Sequence, residues 1–346
     1  MHDIRQSVTI KQVAERAGVS LMTVSRVMNN TGLVKATTRQ KVEAAIDELN
    51  YRPNISARRL AGGKSLFLGL IYHNPSPGYL TKILLGSLDA CRRNGHHLVL
   101  EDLGHQTPYS HPEETARSLK RAGLDGVIIT PPLSNHHLFV DAIEASGIPV
   151  VRIAPENIHT DKLRVAMDDV AAGQAMLQHL VSQGHRRIAF VKGNGDHPSA
   201  HHRFEGFAKG MAENNLDLPD ELILQGDFTY RSGLNAGRKL LSLPEPPTAI
   251  FSSNDDMAAG IVASAQMLGL KVPDDVSVAG FDDTEIATNI WPELTTVKQP
   301  IAEMARRAVD LLTASIRRDT EAESVYRELL DFELVVRDSV QPPHSR

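Results

Sequence analysis

The segment at residues 9–30, TIKQVAERAGVSLMTVSRVMNN, predicts two short helices joined by a tight turn. Thr9 and Gln12 have the spacing of a capping box, in which two side chains satisfy free backbone amides at the start of a helix. Gly18 stands where that helix must end, because glycine readily adopts the left-handed conformation that turns the chain. Ser20 is placed to cap the second helix. These signals together predict a helix-turn-helix.

The second helix of this pair has an inward and an outward side. Val24, Val27 and Met28 repeat at the spacing of a buried helical stripe. A helix-turn-helix sets its second helix into the DNA major groove, where the first turn comes within reach of base edges. We therefore expect a small all-α DNA-binding domain at residues 1–52.

Charge is unevenly distributed along the chain. Residues 1–64 carry 11 lysines and arginines against 5 aspartates and glutamates, whereas the remaining residues carry 26 against 37. A basic N-terminal segment (residues 1–64, the head) followed by an acidic remainder is typical of a DNA-binding module joined to an effector module. Chance variation of surface charge is the alternative, and the helix-turn-helix argues against it.

Length and composition limit the remaining possibilities. At 346 residues the chain is long enough for two or three domains, and its hydrophobic fraction of 41% is ordinary for a globular protein. No run approaches the apolar length of a membrane span, and the first residues lack the apolar run of a signal peptide. The single cysteine, Cys91, excludes an intramolecular disulfide and is expected to be buried. We therefore expect a cytoplasmic protein.

A third helix and a short connecting segment follow the recognition segment. Thr37 and Gln40 repeat the capping-box spacing, and an apolar stripe continues to Leu49. Pro53 disfavours a helical conformation at the residue before it, which separates this helix from residues 54–61. A helix of eight residues is marginal in water. We expect it within a hinge and linker at 53–64, formed only when DNA or a second copy of the chain supports it.

From residue 65 onward, short apolar runs alternate with helical patterns. Regular alternation of this kind is typical of parallel sheets with helices on both faces. The number of units exceeds one doubly wound sheet, so we expect two α/β lobes. The final apolar run, Glu328–Arg337, is interpreted as one strand that closes a lobe. The other predicted strands are Phe67–Tyr72, His97–Asp102, Gly126–Thr130, Val150–Ile153, Ile188–Val191, Leu222–Phe228, Thr248–Ser253 and Val276–Asp282.

Seven segments in a fixed order resemble the lactose-repressor (LacI/GalR) family of bacterial transcription regulators. They are VAERAGVSLMTVSRVMN (13–29), YRPNISARRLAGGKS (51–65), HRRIAFVKG (185–193), RFEGF (203–207), SNDDMAAG (253–260), VPDDVSVAGFDD (272–283) and LTTVKQP (294–300). The resemblance implies a three-helix head, a hinge helix and a periplasmic-binding-protein-like core of two Rossmann-like lobes at 65–340. It places lobe 1 at about 65–162 and 295–322, and lobe 2 at about 163–294 and 323–340.

The same resemblance implies a homodimer on double-stranded DNA with a palindromic operator. It assigns Leu60 the role of an apolar wedge in the minor groove at the operator centre. The tail at 341–346 is too short for a tetramerisation helix, which favours a dimer.

The predicted DNA contacts centre on the recognition helix. Leu21 and Met22 are apolar and favour contacts such as the thymine methyl, whereas Arg26 is the best candidate for a guanine contact. The alternative is that Leu21 and Met22 pack in the core of the head. Arg58 either reaches the minor groove or faces solvent and phosphate. The full set is Thr9, Ser20, Leu21, Met22, Thr23, Ser25, Arg26, Asn29, Asn54, Ala57, Arg58 and Leu60, with Thr23, Ser25 and Asn29 suited to phosphate oxygens.

The predicted effector contacts lie at strand ends, where the cleft between two such lobes would form. Arg203 would clamp effector oxygens and Phe228 would stack on a ring, as the resemblance implies. Carboxylate and amide groups at strand ends suit vicinal hydroxyls, whereas Asp255 and Asp283 are equally suited to capping helices. The set is Tyr79, Ser134, Arg203, Phe228, Asn254 and Asp282. A sugar fits this set best, and a purine remains an alternative.

We therefore expect a ligand-responsive repressor of carbohydrate-utilisation genes that a small sugar-like effector releases from its operator. One alternative is a family member activated by a purine or other co-repressor. Another is a secreted solute-binding protein, against which the DNA-binding segment argues.

An enzyme is the remaining alternative. No Walker loop, Ser/His/Asp order or metal-ligand spacing stands out among the 15 histidines. The adjacent pairs His96-His97, His136-His137 and His201-His202 are interpreted as surface residues. We expect no enzymatic activity, no cofactor and no metal.

Replacing Arg26 tests the assignment of the recognition helix. Arg26→Ala should abolish operator-specific binding while weaker non-specific DNA binding persists, because phosphate contacts elsewhere on the head remain. Footprinting on the operator measures this change. An unchanged footprint would contradict the assignment.

Overall fold

The protein is described here by a computed structural model that covers residues 10–28, 34–49, 65–73, 76–103, 110–156, 163–317 and 327–343. The chain divides into two compact units, Met1–Lys64 and Ser65–Arg346. The predicted hinge helix lies outside the described residues. The same holds for six predicted DNA contacts, namely Thr9, Asn29, Asn54, Ala57, Arg58 and Leu60.

The smaller unit contains three helices, α1 (Ile10–Ala17), α2 (Leu21–Met28) and α3 (Ala36–Glu48). Gly18 has a φ of 65°, and the Ser20 hydroxyl accepts a hydrogen bond of 3.2 Å from the Thr23 N–H. Both local signals of the helix-turn-helix are therefore confirmed. The core of this unit consists of Val13, Ala14, Val24, Val27, Val42 and Ala45.

The larger unit alternates strands with helices. Its strands are β1 (Phe67–Tyr72), β2 (His97–Asp102), β3 (Gly126–Ile129), β4 (Val150–Ile153), β5 (Arg164–Met167), β6 (Ile188–Lys192), β7 (Ile223–Gln225), β8 (Ala249–Ser252), β9 (Ser277–Phe281), β10 (Thr295–Lys298), β11 (Arg327–Leu330) and β12 (Glu333–Val335). Its helices are α4 (Pro77–Arg93), α5 (Pro112–Arg121), α6 (His137–Ala145), α7 (Asp169–Ser182), α8 (Pro198–Glu213), α9 (Tyr230–Leu241), α10 (Asp255–Met267), α11 (Ile286–Asn289) and α12 (Ile301–Arg317). Short 3₁₀ turns occur at Leu133–Asn135 and Asp220–Leu222.

The described strands form two six-stranded sheets, one in each lobe. The first has the order β11-β5-β4-β3-β1-β2 and is parallel throughout. The second has the order β12-β10-β9-β8-β6-β7, in which β12 runs antiparallel to β10 and the other pairs are parallel. The central strands are buried because helices cover both faces of such sheets. The expected two-lobed α/β core is confirmed.

The predicted lobe boundaries need correction at the strands near each crossing. β5 pairs with β4 and β11 and belongs to the first sheet, not the second. β10 pairs with β9 and belongs to the second sheet. The single strand expected at Glu328–Arg337 is two strands, β11 and β12, which lie in different sheets. The chain crosses between lobes in the loops beyond strand ends, so each strand stays with its pairing partners.

Two glycines allow the backbones of α7 and α8 to approach closely. A Cβ on Gly173 would overlap the carbonyl oxygen of Arg203, and a Cβ on Gly206 would overlap that of Val170. This close packing sets the depth at which Arg203 lies in the second lobe.

Substituting one of these glycines tests the packing. Gly206→Ala should lower the free energy of unfolding by about 2 kcal/mol, because the methyl group forces two helix backbones apart. The loss outweighs the roughly 1 kcal/mol that alanine gains over glycine inside a helix. Urea unfolding measures the change. Gly195→Ala is the matched control, since no described atom lies within 4 Å of its added Cβ; equal stability of both variants would contradict the prediction.

Candidate functional site

The recognition helix α2 exposes the side chains that were predicted to meet base edges. Leu21 is 49% exposed and Met22 is 64% exposed, so the alternative that they pack in the core of the head is wrong. Arg26 is also exposed, one helical turn after Met22. Ser20 and Thr23 hydrogen-bond to each other through their hydroxyl groups at 2.9 Å, and Ser25 is partly buried. The outward face of α2 is thus apolar at its start and basic one turn later.

A cleft lies between the two lobes of the larger unit. Its position follows the rule that ligands bind outside the carboxyl ends of parallel strands. The first lobe contributes Ser76, Tyr79, Pro131 and Ala154, and the second contributes His197, Ser199, Arg203, Phe228, Asn254, Asp282 and Gln299. Five of the six residues predicted from the sequence therefore border one cleft.

Ser134 is the predicted residue that does not border the cleft. It lies in the 3₁₀ turn after β3 and is fully buried. Its carbonyl oxygen accepts a hydrogen bond of 3.4 Å from Arg152, and its hydroxyl group is 3.4 Å from the Asn135 amide. The turn directs Ser134 into the first lobe, so it is removed from the candidate set.

Arg203 is held by two carboxylates and a carbonyl group. Its Nε donates to Asp169 at 2.9 Å, and its Nη1 donates to the Ser253 carbonyl at 2.5 Å and lies 3.4 Å from Asp282. The guanidinium also lies 3.7 Å from the centre of the Phe281 ring. Arg203 therefore joins the start of α7 to the ends of β8 and β9.

Asp282 is a buried carboxylate at the end of β9. Gln299, which follows β10, donates to it at 2.5 Å. Burial raises the pKa of Asp282 to about 6, although the nearby Arg203 and the bond from Gln299 oppose the rise. The side chain can accept hydrogen bonds from ligand hydroxyl groups near neutral pH.

Asn254 and Asp255 hold the loops that border the cleft. Asn254 caps α10 by accepting from the Met257 N–H at 3.0 Å, and its amide donates to the Phe228 carbonyl at 3.0 Å. Asp255 accepts from the Thr284 N–H at 2.7 Å and from the Thr296 hydroxyl at 2.6 Å. Asp255 thus positions the loop after β9, and of the two neighbours Asn254 is the one that faces the cleft.

Backbone conformation marks the same loops. Ala154, Phe228 and Asp282 have φ values of 45°, 68° and 105°, a region that non-glycine residues rarely adopt. Each such residue costs of order 1–3 kcal/mol and persists only where its surroundings impose it. All three border the cleft. Strain concentrated there supports a functional role for this region.

Six cleft residues were not predicted, namely Ser76, Pro131, Ala154, His197, Ser199 and Gln299. Each follows a strand in the chain, so the strand-end rule could have found them. Gln299 was missed because β10 was not recognised as a strand. The interpretation of the adjacent histidine pairs as surface residues is wrong for His96, which is buried. His136 is partly buried and caps α6 by accepting from the Phe139 N–H at 3.1 Å.

Two hydrogen bonds connect the lobes beside the cleft. The Ser76 hydroxyl donates to Asp256 at 2.6 Å, and the Lys82 ammonium donates to the Asp283 carbonyl. Burial raises the pKa of Asp256, which the bond from Ser76 partly opposes. Because Ser76 borders the cleft and Asp283 follows Asp282, these contacts join the two lobes at the edge of the cleft.

The described part of the chain contains neither a residue group for a metal ion nor a helix able to span a membrane. None of its histidine, cysteine, aspartate and glutamate residues form a group of three suited to a metal ion. The helices described here include none with the length and apolarity needed to cross a bilayer. Cys91 is a free, buried cysteine, as expected.

Comparison with known proteins agrees with this arrangement. The family model for bacterial regulatory proteins of the lacI family matches residues 9–54, and that for a periplasmic binding protein-like domain matches residues 177–340. Catabolite control protein A of Priestia megaterium is 35% identical over 322 residues, which cover 92% of this chain and 96% of that protein. The chain belongs to the LacI family.

Solved structures of LacI-family proteins share its fold. A lac repressor dimer bound to operator and the anti-inducer ONPF has a TM-score of 0.80 at 31% identity, covering 97% of this chain and 100% of that one. A complex of the transcriptional regulator CelR with cellobiose has a TM-score of 0.72 at 29% identity, covering 96% and 100%. The resemblance noted in the sequence is confirmed, and these relatives are transcription regulators, not enzymes.

The buried carboxylate of this LacI-family protein predicts a pH dependence of stability. Between about pH 4 and 6, folded Asp282 keeps a proton that the unfolded chain releases, so its contribution to stability falls as pH rises through that window. Asp282→Asn should remove this fall, and its stability relative to the wild type should be more favourable at pH 7 than at pH 4.5. Urea unfolding at both pH values measures the difference. A constant difference between the two proteins would contradict the raised pKa.

Proposed function

We propose that this protein is a repressor that binds a palindromic DNA operator as a homodimer and is released by a small sugar-like effector in the cleft. Family membership supports the regulatory role. The cleft supports the ligand class, because it combines a carboxylate, amides and a guanidinium with an aromatic ring. The observation that carries the proposal is the convergence of Arg203, Phe228 and Asp282 on one enclosed space.

The chemistry of the lining favours a sugar over other small molecules. Asp282 and Gln299 border the cleft, and their carboxylate and amide carbonyl oxygens can accept hydrogen bonds from neighbouring hydroxyl groups. Phe228 gives the apolar face of a sugar ring a surface to pack on. The complex of the related regulator with cellobiose supports the same class.

A purine co-repressor is the second candidate. Phe228 could stack on a planar base, and the Asn254 and Gln299 amides could pair with base edges. The two candidates differ in the sign of the response. An inducing sugar weakens DNA binding, whereas a co-repressor strengthens it.

Control of DNA binding is proposed to work through the lobe arrangement. A ligand shifts an equilibrium between two arrangements only if its affinity for them differs. Contacts from Ser76 to Asp256 and from Lys82 to Asp283 span the lobes beside the ligand space. A ligand that moves these loops changes the lobe arrangement and thereby the spacing of two hinge segments at 53–64 in a dimer. The paired hinge helices then form or melt.

The proposed DNA interface combines α2 with the hinge. Leu21 and Met22 contribute apolar contacts to bases, and Arg26 contributes the guanine contact. Leu60 is proposed as the minor-groove wedge and Arg58 as its neighbour in the groove. We propose no enzymatic role, because these relatives are transcription regulators.

A two-stage experiment tests this function. A thermal-shift screen of sugars and nucleobases on the full chain identifies stabilising ligands. Fluorescence anisotropy then measures operator affinity with and without each ligand. We expect a sugar that stabilises the protein and weakens operator binding. Phe228→Leu should raise the sugar concentration needed by roughly tenfold, because it removes the aromatic surface.

The same variant provides its own control. Without ligand, Phe228→Leu should bind the operator as the wild type does, since the substitution lies in the larger unit and outside the predicted DNA contacts. A stabilising sugar that leaves operator affinity unchanged would contradict the proposed regulation. A nucleobase that strengthens operator binding would favour the co-repressor instead.

A further inference from the structure

His197 is a buried histidine at the edge of the cleft. It lies just before α8 and is 3% exposed. Neither of its ring nitrogens has a hydrogen-bond partner among the described residues. Its ring packs edge-on against Phe228 at 5.1 Å between centroids, and both side chains border the cleft. Buried polar atoms without partners are costly, so this arrangement points to a partner that the ligand supplies.

The protonation state of His197 defines what that partner must be. Burial and the positive charge of Arg203 lower its pKa to about 4, so the ring is neutral near pH 7. A neutral imidazole offers one N–H donor and one nitrogen acceptor. A hydroxyl group can both accept and donate, and therefore matches either nitrogen. An ionised phosphate or carboxylate group only accepts, so it could pair with the N–H of His197 but not with its acceptor nitrogen.

The charge of Arg203 is already balanced inside the protein. Asp169 and Asp282 both lie against its guanidinium, and the Phe281 ring covers one face. No other lysine or arginine borders the cleft within the described residues. An anionic ligand would therefore meet the Asp282 carboxylate in a buried space without a free cation. Like charges placed together in such a site cost several kcal/mol.

We propose that the cleft selects an uncharged, hydroxyl-bearing effector, that His197 recognises one of its hydroxyl groups, and that the paired Arg203 rejects sugar phosphates and sugar acids. This inference rests on the proposed sugar-responsive function and specifies which sugars qualify. It assigns His197 a role in specificity and gives Asp282 a second role as a filter against anions.

Matched sets of probes test the charge of the effector. The full chain is titrated with three sets that each pair an uncharged sugar with its anionic forms. They are glucose with glucuronate and glucose 6-phosphate, galactose with galacturonate and galactose 6-phosphate, and ribose with ribose 5-phosphate. Cellobiose and hypoxanthine are titrated as further uncharged probes. Isothermal titration calorimetry measures each affinity. We expect binding of an uncharged sugar and at least about 100-fold weaker binding of its anionic counterparts.

The outcomes of the titrations distinguish the proposed sugar-responsive function from the selection of uncharged effectors inferred here. An anionic sugar that binds more tightly than its uncharged parent overturns this inference and leaves the sugar-responsive function standing. Binding of hypoxanthine alone overturns the proposed sugar response. Failure of every probe to bind counts against both proposals.

Two substitutions test the assigned residues. His197→Leu should weaken binding of the uncharged sugar by about tenfold or more, yet raise the Tm of the ligand-free protein, because two unpaired buried nitrogens are removed. His197→Asn keeps a donor and an acceptor and should retain part of the affinity. Asp282→Asn should improve binding of the anionic probe relative to its uncharged parent by at least about tenfold.

Controls separate recognition from folding. His137→Leu replaces an exposed histidine in the first lobe and should change neither affinity nor Tm. If His197→Leu lowers both the affinity and the Tm of the ligand-free protein, His197 is structural and the proposal fails. If Asp282→Asn discriminates against anions as the wild type does, the filter assigned to Asp282 is wrong.

Discussion

The buried guanidinium of Arg203 is the interaction on which the cleft depends. It connects Asp169 at the start of α7, the Ser253 carbonyl at the end of β8 and Asp282 at the end of β9. Removing one partner of a buried ion pair costs about 3–5 kcal/mol, because the remaining charge is uncompensated. Three loops from separate parts of the chain are thereby held in one arrangement. Gly206, which lets α7 and α8 approach closely, sets the position from which the arginine reaches them.

The same pairing determines what the cleft can recognise. Since two carboxylates use the charge of Arg203, ligand selection depends on neutral hydrogen bonds and on shape. The ring nitrogens of His197, which have no partner among the described residues, and the ring of Phe228 supply these features. Strained backbone at Phe228 and Asp282 is maintained by the hydrogen bonds of neighbouring side chains. Ser76, which also borders the cleft, hydrogen-bonds to Asp256 in the opposite lobe.

Much of this site could be predicted from the sequence, because ligands bind beyond the carboxyl ends of strands. That rule placed Tyr79, Arg203, Phe228, Asn254 and Asp282 correctly around one cleft. It failed at Ser134, where a 3₁₀ turn carries the side chain into the core. It also missed His197 and Gln299, because histidines are often surface residues and β10 is a short strand without a strong pattern. Burial and the lack of partners are properties of the folded chain alone.

The sequence by itself determined the local elements. Gly18 and Ser20 specify the turn of the helix-turn-helix through backbone conformation and capping, and alternating apolar runs specify a parallel α/β core. Only the tertiary structure decided which lobe each crossing strand joins. β5, β10 and β11 are short strands of four residues, and either sheet could accept them by local pattern. Their assignment depends on backbone hydrogen bonds to strands distant in the sequence, and those partners meet only when both lobes have folded.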